Sequence, residues 1–251
     1  MSITPYHETN LGVLYHGDCL TIMPHLEPVD LVLTDPPYEK TACSWDSIIP
    51  FEPMWEQLGR IANGAIVLTS SQPFTALLVL SNTAMFKYEW IWRKTRPTGF
   101  FTAKKIPMKI HENILVFYKK QPTYNPIKTK ALPDKIDKRK TLNPTYSPYL
   151  GLSKNRVADS GERYPVTIQT FPSVSRKGQH PTQKPVTLIE YLIKTYTNKN
   201  DIVLDFTIGS GTTAIACERL NRRWIGIEIE EKYCEIAAKR IEKERSQLKL
   251  F

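Results

Sequence analysis

Four consecutive residues, Asp35-Pro36-Pro37-Tyr38, combine groups that can do chemistry at the end of a strand. They follow the apolar run of residues 29–33, and proline is poorly tolerated inside a central strand because it lacks an N–H. The sequence therefore predicts a strand that ends here in a stiff exit. The Asp35 carboxylate and the Pro36 carbonyl could accept hydrogen bonds from an amino group, while Tyr38 offers a ring face. A proline turn capped by aspartate, without chemistry, is the alternative.

A second candidate site lies near the other end of the chain. Residues 203–217 read as a strand, a glycine-rich turn and a helix. Gly209 and Gly211 allow a tight turn and close approach of a ligand, and N–H groups at the start of the helix can receive an anion. Glu228 is expected at the end of the next strand, where a carboxylate can accept both hydroxyls of a ribose. The pattern predicts an adenosine-containing cofactor and leaves a nicotinamide cofactor and S-adenosylmethionine both open.

The elements that must position these motifs alternate between strand and helix at both ends of the chain. Apolar runs predict strands, and apolar residues at helical spacing predict helices. Such alternation indicates an α/β fold with a mostly parallel, Rossmann-like sheet covered by helices. The predicted strands are residues 12–16, 30–34, 65–69, 88–92, 114–118, 201–206 and 223–229, and the predicted helices are residues 54–62, 73–80, 188–196, 212–220 and 230–244.

Positive charge is concentrated in the middle of the chain. Residues 91–180 contain nineteen Lys and Arg against five Asp and Glu, whereas the 251-residue chain has a net charge of only +9. This concentration predicts a polyanionic partner. Within it, residues 121–180 contain seven prolines and little apolar periodicity. We therefore predict a catalytic half at 1–120, an irregular basic insertion at 121–180 and a cofactor-binding half at 181–251.

Composition also argues against several classes of protein. No apolar run approaches the length of about 18 residues that a membrane span needs, and the N-terminus lacks the pattern of a secretion signal. The four cysteines are scattered and form no C-x-x-C motif. Buried, reduced thiols in a cytosolic protein are expected, and no metal site.

The two motifs together resemble those of the amino-methyltransferases of DNA. Asp35 to Tyr38 resembles their catalytic tetrapeptide, and residues 205–213 resemble their cofactor loop. The order, with catalysis first, the basic insertion next and the cofactor loop last, resembles the permuted β arrangement of the family. The resemblance spans residues 12–244 with a gap over the insertion. Four further segments carry it: residues 17–19, 111–120, 180–185 and 226–240.

This resemblance implies a seven-stranded methyltransferase sheet with helices on both faces and S-adenosylmethionine as the cofactor. It implies methyl transfer to the N6 amino group of adenine in double-stranded DNA, with the base flipped out of the helix. Asp35, Pro36, Pro37 and Tyr38 would be catalytic. The cofactor-binding residues implied are Asp18, Cys19, Asp35, Lys184, Asp205, Phe206, Thr207, Gly209, Ser210, Gly211, Thr212, Thr213 and Glu228.

The insertion would recognise the target sequence, with basic side chains on phosphates and a few side chains on base edges. The DNA-binding residues expected inside and outside it are Arg93, Lys94, Arg96, Lys104, Lys105, Lys138, Arg139 and Lys140. The resemblance also allows a restriction endonuclease partner, a monomer or a homodimer, and a place in the cytoplasm of a bacterium, with a chromosomal or a phage gene.

One loop departs from the family pattern. The family usually reads Asp-Pro-Phe-x-Gly-Ser-Gly, whereas residues 205–211 read Asp-Phe-Thr-Ile-Gly-Ser-Gly. Four alternatives therefore stay open: a cytosine-N4 DNA methyltransferase, for which the family typically has Ser in place of Asp35, an RNA adenine methyltransferase, a catalytically inactive DNA-binding relative, and a nicotinamide-dependent Rossmann enzyme. The last leaves Asp35 to Tyr38 and the basic insertion unexplained.

Overall fold

The computed structural model describes residues 3–39, 47–131, 161–174 and 183–248. The chain forms two compact units, one made of Met1–Asn125 with Thr167–Phe251 and the other of Pro126–Val166. Three predicted DNA-binding residues, Lys138, Arg139 and Lys140, lie outside the described residues.

The larger unit is built on a nine-stranded sheet with the order β1-β2-β11-β10-β3-β4-β6-β5-β9. The strands from β2 to β4 in this order are parallel, and β6 runs antiparallel to both of its neighbours. The strands are β1 His7–Glu8, β2 Gly12–His16, β3 Val29–Thr34, β4 Ala62–Ser70, β5 Phe86–Thr98, β6 Lys109–Phe117, β7 Thr129–Lys130, β8 Glu162–Arg163, β9 Ile168–Phe171, β10 Ile202–Asp205 and β11 Arg223–Glu228.

The predicted α/β class is confirmed, and the seven predicted strands are the inner seven of this sheet. The sequence did not predict β1 and β9, the short strands that extend the two edges. It also did not predict the four-residue helix α1. The helices are α1 Cys19–Ile22, α2 Phe51–Ile61, α3 Phe74–Ser81, α4 Val186–Tyr196, α5 Thr212–Leu220 and α6 Glu231–Leu248.

Helices cover both faces of the sheet, and the strands supply alternate side chains to the two cores. Leu31 and Leu33 of β3 point into one core with residues of α4, α5 and α6. Val32, between them, points into the other core with residues of α1, α2 and α3. Burial on both faces explains why these strands read as continuous apolar runs rather than as alternating patterns.

The two central strands β10 and β3 are parallel neighbours whose following helices diverge. Helix α5, after β10, packs on one face, and α2, which follows β3 along the chain, packs on the other. This divergence opens a crevice at the carboxyl ends of the two strands, where open α/β sheets bind their ligands. Asp35 directly follows β3, and Asp205 ends β10.

The smaller unit contains the antiparallel pair of β7 and β8. In it, the Lys128 ammonium lies 2.9 Å from Glu162 Oε2 and 5.0 Å from the ring centroid of Tyr164. The two ends of the predicted 121–180 insertion belong instead to the larger unit. The Asn125 N–H donates to the Thr195 carbonyl at 2.7 Å, and β9 pairs with β5.

Three cysteines, Cys19, Cys217 and Cys234, are free and buried, as predicted, and Cys43 lies outside the described residues. Within the described ranges, no helix is both long enough and apolar enough to cross a membrane.

Candidate active site

A cavity of about 790 Å³ occupies the carboxyl edge of the sheet. Residues far apart in the sequence meet there, because β2, β3, β10 and β11 all end at this edge. The predicted catalytic and cofactor residues that line it are Asp18, Cys19, Asp35, Pro36, Pro37, Tyr38, Lys184, Asp205, Phe206, Thr207, Gly209, Ser210, Thr212, Thr213 and Glu228. The sequence thus predicted most of one cavity from two separate motifs.

The Asp35 carboxylate is held by three side chains. Its Oδ1 accepts a hydrogen bond from the Tyr38 hydroxyl at 2.5 Å and another from the Thr69 hydroxyl. Its Oδ2 accepts from the Lys184 ammonium. Thr69 lies in β4, which runs parallel to β3, so both residues come to the same edge of the sheet. The carboxylate is therefore fixed in position before any substrate enters.

Lys184 belongs to a chain of alternating charges in the cavity wall. Its side chain is 8% exposed, and its Nζ lies 3.5 Å from Glu112 Oε2. Glu112 Oε1 accepts from the Lys94 ammonium at 2.5 Å, whereas Oε2 is buried and has no hydrogen-bond partner among the described residues. Burial opposes ionisation, but Lys184 and Lys94 hold the pKa of Glu112 below its usual value. Glu112 is thus a buried carboxylate with one oxygen ready to accept a donor.

The Tyr38 side chain joins the catalytic stretch to the neighbouring core. Its ring stacks on Phe74 at a centroid distance of 5.1 Å and an interplanar angle of 30°. Burial, together with the charges of Asp35 and Glu112, raises the pKa of its hydroxyl well above the usual value. The hydroxyl therefore stays protonated and donates to Asp35.

Asp205 lies at the centre of a hydroxyl cluster beneath the glycine-rich turn. Its Oδ1 accepts from Thr34 Oγ1 at 2.6 Å and from the Thr207 N–H at 3.2 Å, and its Oδ2 accepts from Thr213 Oγ1 at 2.5 Å. Burial raises the pKa of Asp205 to about 6, against the lowering effect of these donors. The carboxylate is therefore held near the balance between its charged and neutral forms.

The residue by which the loop departs from the family pattern connects the two motifs. The Thr207 hydroxyl donates to the backbone carbonyl of Asp35 at 3.1 Å. Phe206, beside it, is 1% exposed and packs in the core that contains α1, α2 and α3. The aromatic residue has thus taken a core position, and the threonine side chain ties the cofactor loop to the catalytic stretch.

Glu228 faces the cavity from the end of β11, where the sequence placed it. Its Oε2 accepts from the Gly209 N–H at 2.8 Å and its Oε1 accepts from the Glu230 N–H at 2.9 Å. Burial raises its pKa, against these two backbone donors. Asp18, nearby, caps α1 by accepting from the Leu20 N–H at 2.7 Å. Each Glu228 oxygen keeps acceptor capacity beyond its one backbone partner.

The glycine-rich turn requires its glycines and is fastened from behind. Gly211 has a φ of 81°, and a Cβ there would lie 3.0 Å from Ala237 Cβ and 3.2 Å from Ala237 Cα. The Arg240 guanidinium of α6 donates to the Ser210 carbonyl and, at 2.7 Å, to the Ser210 hydroxyl. The turn therefore packs directly on α6, although Gly211 itself does not line the cavity.

The predicted DNA-binding residues divide into two groups. Arg93, Arg96, Lys104 and Lys105 are exposed around the connection between β5 and β6. Lys94 is not: its side chain is 12% exposed, and it pairs with Glu112 in the cavity wall. Its position indicates a part in the charge chain rather than a phosphate contact on the open surface.

Thr69 and Glu112 are the site residues that the sequence analysis missed. Thr69 ends an apolar strand run at the same edge as Asp35, which is a signal that the predicted sheet order would have provided. Glu112 is the one acidic residue among residues 91–120, a stretch with eight Lys and Arg. That isolation was its sequence signal.

Comparison with known proteins gives a consistent answer. A family model described as DNA methylase matches residues 29–239. The Type II methyltransferase M2.LlaDCHI of Lactococcus lactis subsp. cremoris is 26% identical over 268 residues, which cover 95% of this chain and 92% of that protein. The crystal structure of the M1.HpyAVI-SAM complex aligns with a TM-score of 0.62 at 26% identity, over 92% of this chain and 99% of that chain.

A further solved structure shares the fold. The PvuII DNA methyltransferase, which is cytosine-N4-specific, aligns with a TM-score of 0.68 at 17% identity and covers 96% of this chain and 93% of that chain. At this identity the likeness concerns the fold alone, so it does not indicate which base is methylated.

Proposed function

The chain belongs to the N6/N4 DNA methylase family, and we propose that it methylates the N6 amino group of adenine in double-stranded DNA after flipping the base out of the helix. The observation that carries the proposal is the joined pair of motifs. A fixed carboxylate, Asp35, lies beside the cofactor loop, and Thr207 of that loop bonds to the Asp35 backbone. The family and its relatives support DNA methylation, while the choice of adenine depends on Asp35 itself, at a position where the cytosine-N4 branch typically has Ser.

The cofactor of the chain is S-adenosylmethionine, which supplies an electrophilic methyl group when bound. The donor set of the cavity fits it. Two carboxylates that are less than a tenth exposed, Asp205 and Glu228, face the cavity, and these suit an amino cation and ribose hydroxyls respectively. The N–H groups at the start of α5 suit the cofactor carboxylate. We assign Asp205 and α5 to the methionine end and Glu228 to the ribose.

Gly211→Ala is expected to weaken S-adenosylmethionine binding about tenfold, because backbone strain of this kind costs about 1–3 kcal/mol and the new methyl group would press on Ala237. Gly99→Ala is the matched control, since Gly99 also has a positive φ of 91° but faces open space away from the cofactor loop. Calorimetry on both variants measures the affinity. Equal losses in the two variants would contradict the role of the Gly211 contact.

Cofactor binding is expected to weaken as the pH falls through about 6, because burial raises the pKa of Asp205 to about 6 and only the ionised form attracts an amino cation. A charge-assisted hydrogen bond contributes about 1.5–3 kcal/mol, so affinity should fall roughly tenfold to a hundredfold between pH 8 and pH 5. Asp205→Asn should bind weakly at every pH. Calorimetry over this range checks both curves, and a pH-dependent Asp205→Asn would assign the titration to another group.

The same pKa shift has the opposite effect on the free protein. The folded-state pKa of Asp205 lies above its unfolded value, so folding favours the neutral form and this group's stability contribution grows as the pH falls from 6 towards 4. Thermal unfolding without cofactor should show this difference between the wild type and Asp205→Asn.

The chemistry at Asp35 begins with an exchange of hydrogen bonds. Both Tyr38 and Thr69 occupy Oδ1, so the adenine amine must be received at Oδ2, where the Lys184 ammonium sits. Glu112 Oε2, 3.5 Å from Nζ, provides the new acceptor for that ammonium. Asp35 Oδ2 and the Pro36 carbonyl then hold the amine hydrogens and aim the nitrogen lone pair, which is positioning and electrostatic catalysis.

The remaining parts of the proposal concern DNA. Residues 121–180 serve as the target-recognition region, and Arg93, Arg96, Lys104 and Lys105 contact phosphates around the cavity. The protein works in the bacterial cytoplasm, where a restriction endonuclease of the same specificity is its expected counterpart.

Transfer of labelled methyl groups tests the polymer. The purified protein is incubated with labelled S-adenosylmethionine and, in parallel, with genomic DNA lacking methylation, denatured DNA and total RNA. We expect label in double-stranded DNA. Label only in RNA would support the RNA adenine methyltransferase, and cofactor and DNA binding without transfer would support an inactive relative.

A further inference from the structure

An exposed aromatic pair crowns the connection between β5 and β6. We call residues 99–108 the β5–β6 tip. Within it, Phe101 is 96% exposed and Phe100 is 76% exposed, and their rings lie edge to face at 6.3 Å. Side chains of this size are normally buried because water contact with their rings is unfavourable. Two neighbouring phenylalanines left in water point to a partner that covers them.

The tip is an ordered structure that presents these rings. Gly99 takes a left-handed conformation with φ 91°, and the backbone then turns through Phe100–Thr102. The Lys105 N–H donates to the Thr102 carbonyl at 2.8 Å, and the Thr102 hydroxyl donates to the Gly99 carbonyl at 3.0 Å. The backbone bonds itself, so the two rings need no core contact to stay in place.

The place of the tip in the fold connects it to the active site. The residues on either side of it, Thr98 and Lys109, line the same cavity as Asp35. Phe101 is three residues from Thr98, which limits their separation to roughly 10 Å. DNA bases on one strand are about 3.4 Å apart, so Phe101 is within about three nucleotides of the cavity wall.

The charge around the tip identifies the partner. Residues 90–111 contain six Lys and Arg and no Asp or Glu. A basic surface that surrounds exposed aromatic rings fits a polyanion with flat faces to stack on, which is a nucleic acid. A protein partner would be expected to meet apolar surface within a rim of mixed polar character.

We propose that Phe101, supported by Phe100, inserts into the DNA duplex beside the target adenine and fills the space that the flipped base leaves. This inference depends on the proposed base flipping and extends it, because it assigns the residue that opens the stack. Apolar wedges that enter a base step offset part of the unstacking free energy, which is a few kcal/mol per step.

The test compares two duplexes and three variants. One duplex carries the target adenine in a normal pair and the other carries it opposite an abasic site, in the motif found by single-molecule sequencing of DNA methylated by the wild type. We expect Phe101→Ala to methylate the paired duplex roughly tenfold to a hundredfold more slowly, since each 1.4 kcal/mol of lost opening free energy is a factor of ten. Its rate on the unpaired target should stay within about threefold of wild type.

Phe101→Trp and Leu80→Ala complete the test. Phe101→Trp should remain active, and its indole fluorescence should be quenched when the duplex is added. Leu80 is 73% exposed on α3, so Leu80→Ala controls for loss of any exposed apolar side chain and should leave both rates unchanged.

Three results would overturn the wedge. They are wild-type rates for Phe101→Ala on the paired duplex, equal slowing on both duplexes, and normal rates together with a shift in oligomeric state, which would make the tip a contact between copies. A wild type that methylates no DNA would instead contradict the proposed function, so the two failures are distinguishable.

Discussion

Asp35→Asn is expected to lose methyl transfer by at least about a hundredfold to a thousandfold, the size of effect seen when one preorganised electrostatic group is removed from an active site. Asn keeps an oxygen for the Tyr38 and Thr69 hydroxyls but presents an amide NH₂ where the carboxylate would receive the amine. Single-turnover transfer of labelled methyl groups to DNA measures the loss.

The structure also chooses the substitution. Asp35→Ala would remove the Oδ2 partner of the buried Lys184 ammonium, so a loss of activity in that variant would be mixed with a loss of stability. The isosteric Asn avoids most of this. Cofactor affinity in Asp35→Asn should stay within about tenfold of wild type, because one charge-assisted hydrogen bond at most is lost there. An active Asp35→Asn protein would contradict the mechanism.

Lys184→Met is expected to lower the melting temperature by on the order of 10 °C, because it leaves the carboxylates of Asp35 and Glu112 without the cation between them. Removing one partner of a buried ion pair costs about 3–5 kcal/mol, and each kcal/mol shifts Tm by about 2–4 °C in a protein of this size. The estimate lies low in that range because the Asp35 side chain is 25% exposed. Thermal unfolding followed by circular dichroism makes the measurement.

A second substitution separates charge from packing. Glu112→Gln in the Lys184→Met background removes one of the two uncompensated carboxylates, so the double variant should be more stable than Lys184→Met alone. Glu112→Gln by itself should slow methyl transfer more than it weakens binding of cofactor or DNA, because Lys184 loses the acceptor to which it moves. If Lys184→Met melts within about 2 °C of the wild type, the ion pair contributes nothing to the fold.

The sequence predicted the sheet and the two motifs because both depend on local signals. Apolar runs identify strands that are buried on both faces, and the Gly209–Gly211 turn and the Asp35–Tyr38 stretch are contiguous. The helix stripe at residues 188–196 likewise became α4, Val186–Tyr196. Such features require no knowledge of which strands are neighbours.

The charge chain could not be predicted in the same way. Lys184, Glu112 and Lys94 come from three separate segments, and only the order β4-β6-β5 at the edge of the sheet brings the last two together. Sequence analysis therefore assigned Lys184 to the cofactor and Lys94 to DNA by segment alone. The short strand β9 was missed because its pairing with β5 is set by the tertiary fold rather than by its own four residues.

Nucleoside mass spectrometry of methylated DNA tests the central claim most directly. Unmethylated genomic DNA is treated with the wild-type protein or with Asp35→Asn and S-adenosylmethionine, digested to nucleosides, and analysed for both methylated bases. The account predicts N6-methyldeoxyadenosine with the wild type, none above background with Asp35→Asn, and no N4-methyldeoxycytidine with either. N4-methyldeoxycytidine as the product of the wild type would contradict it.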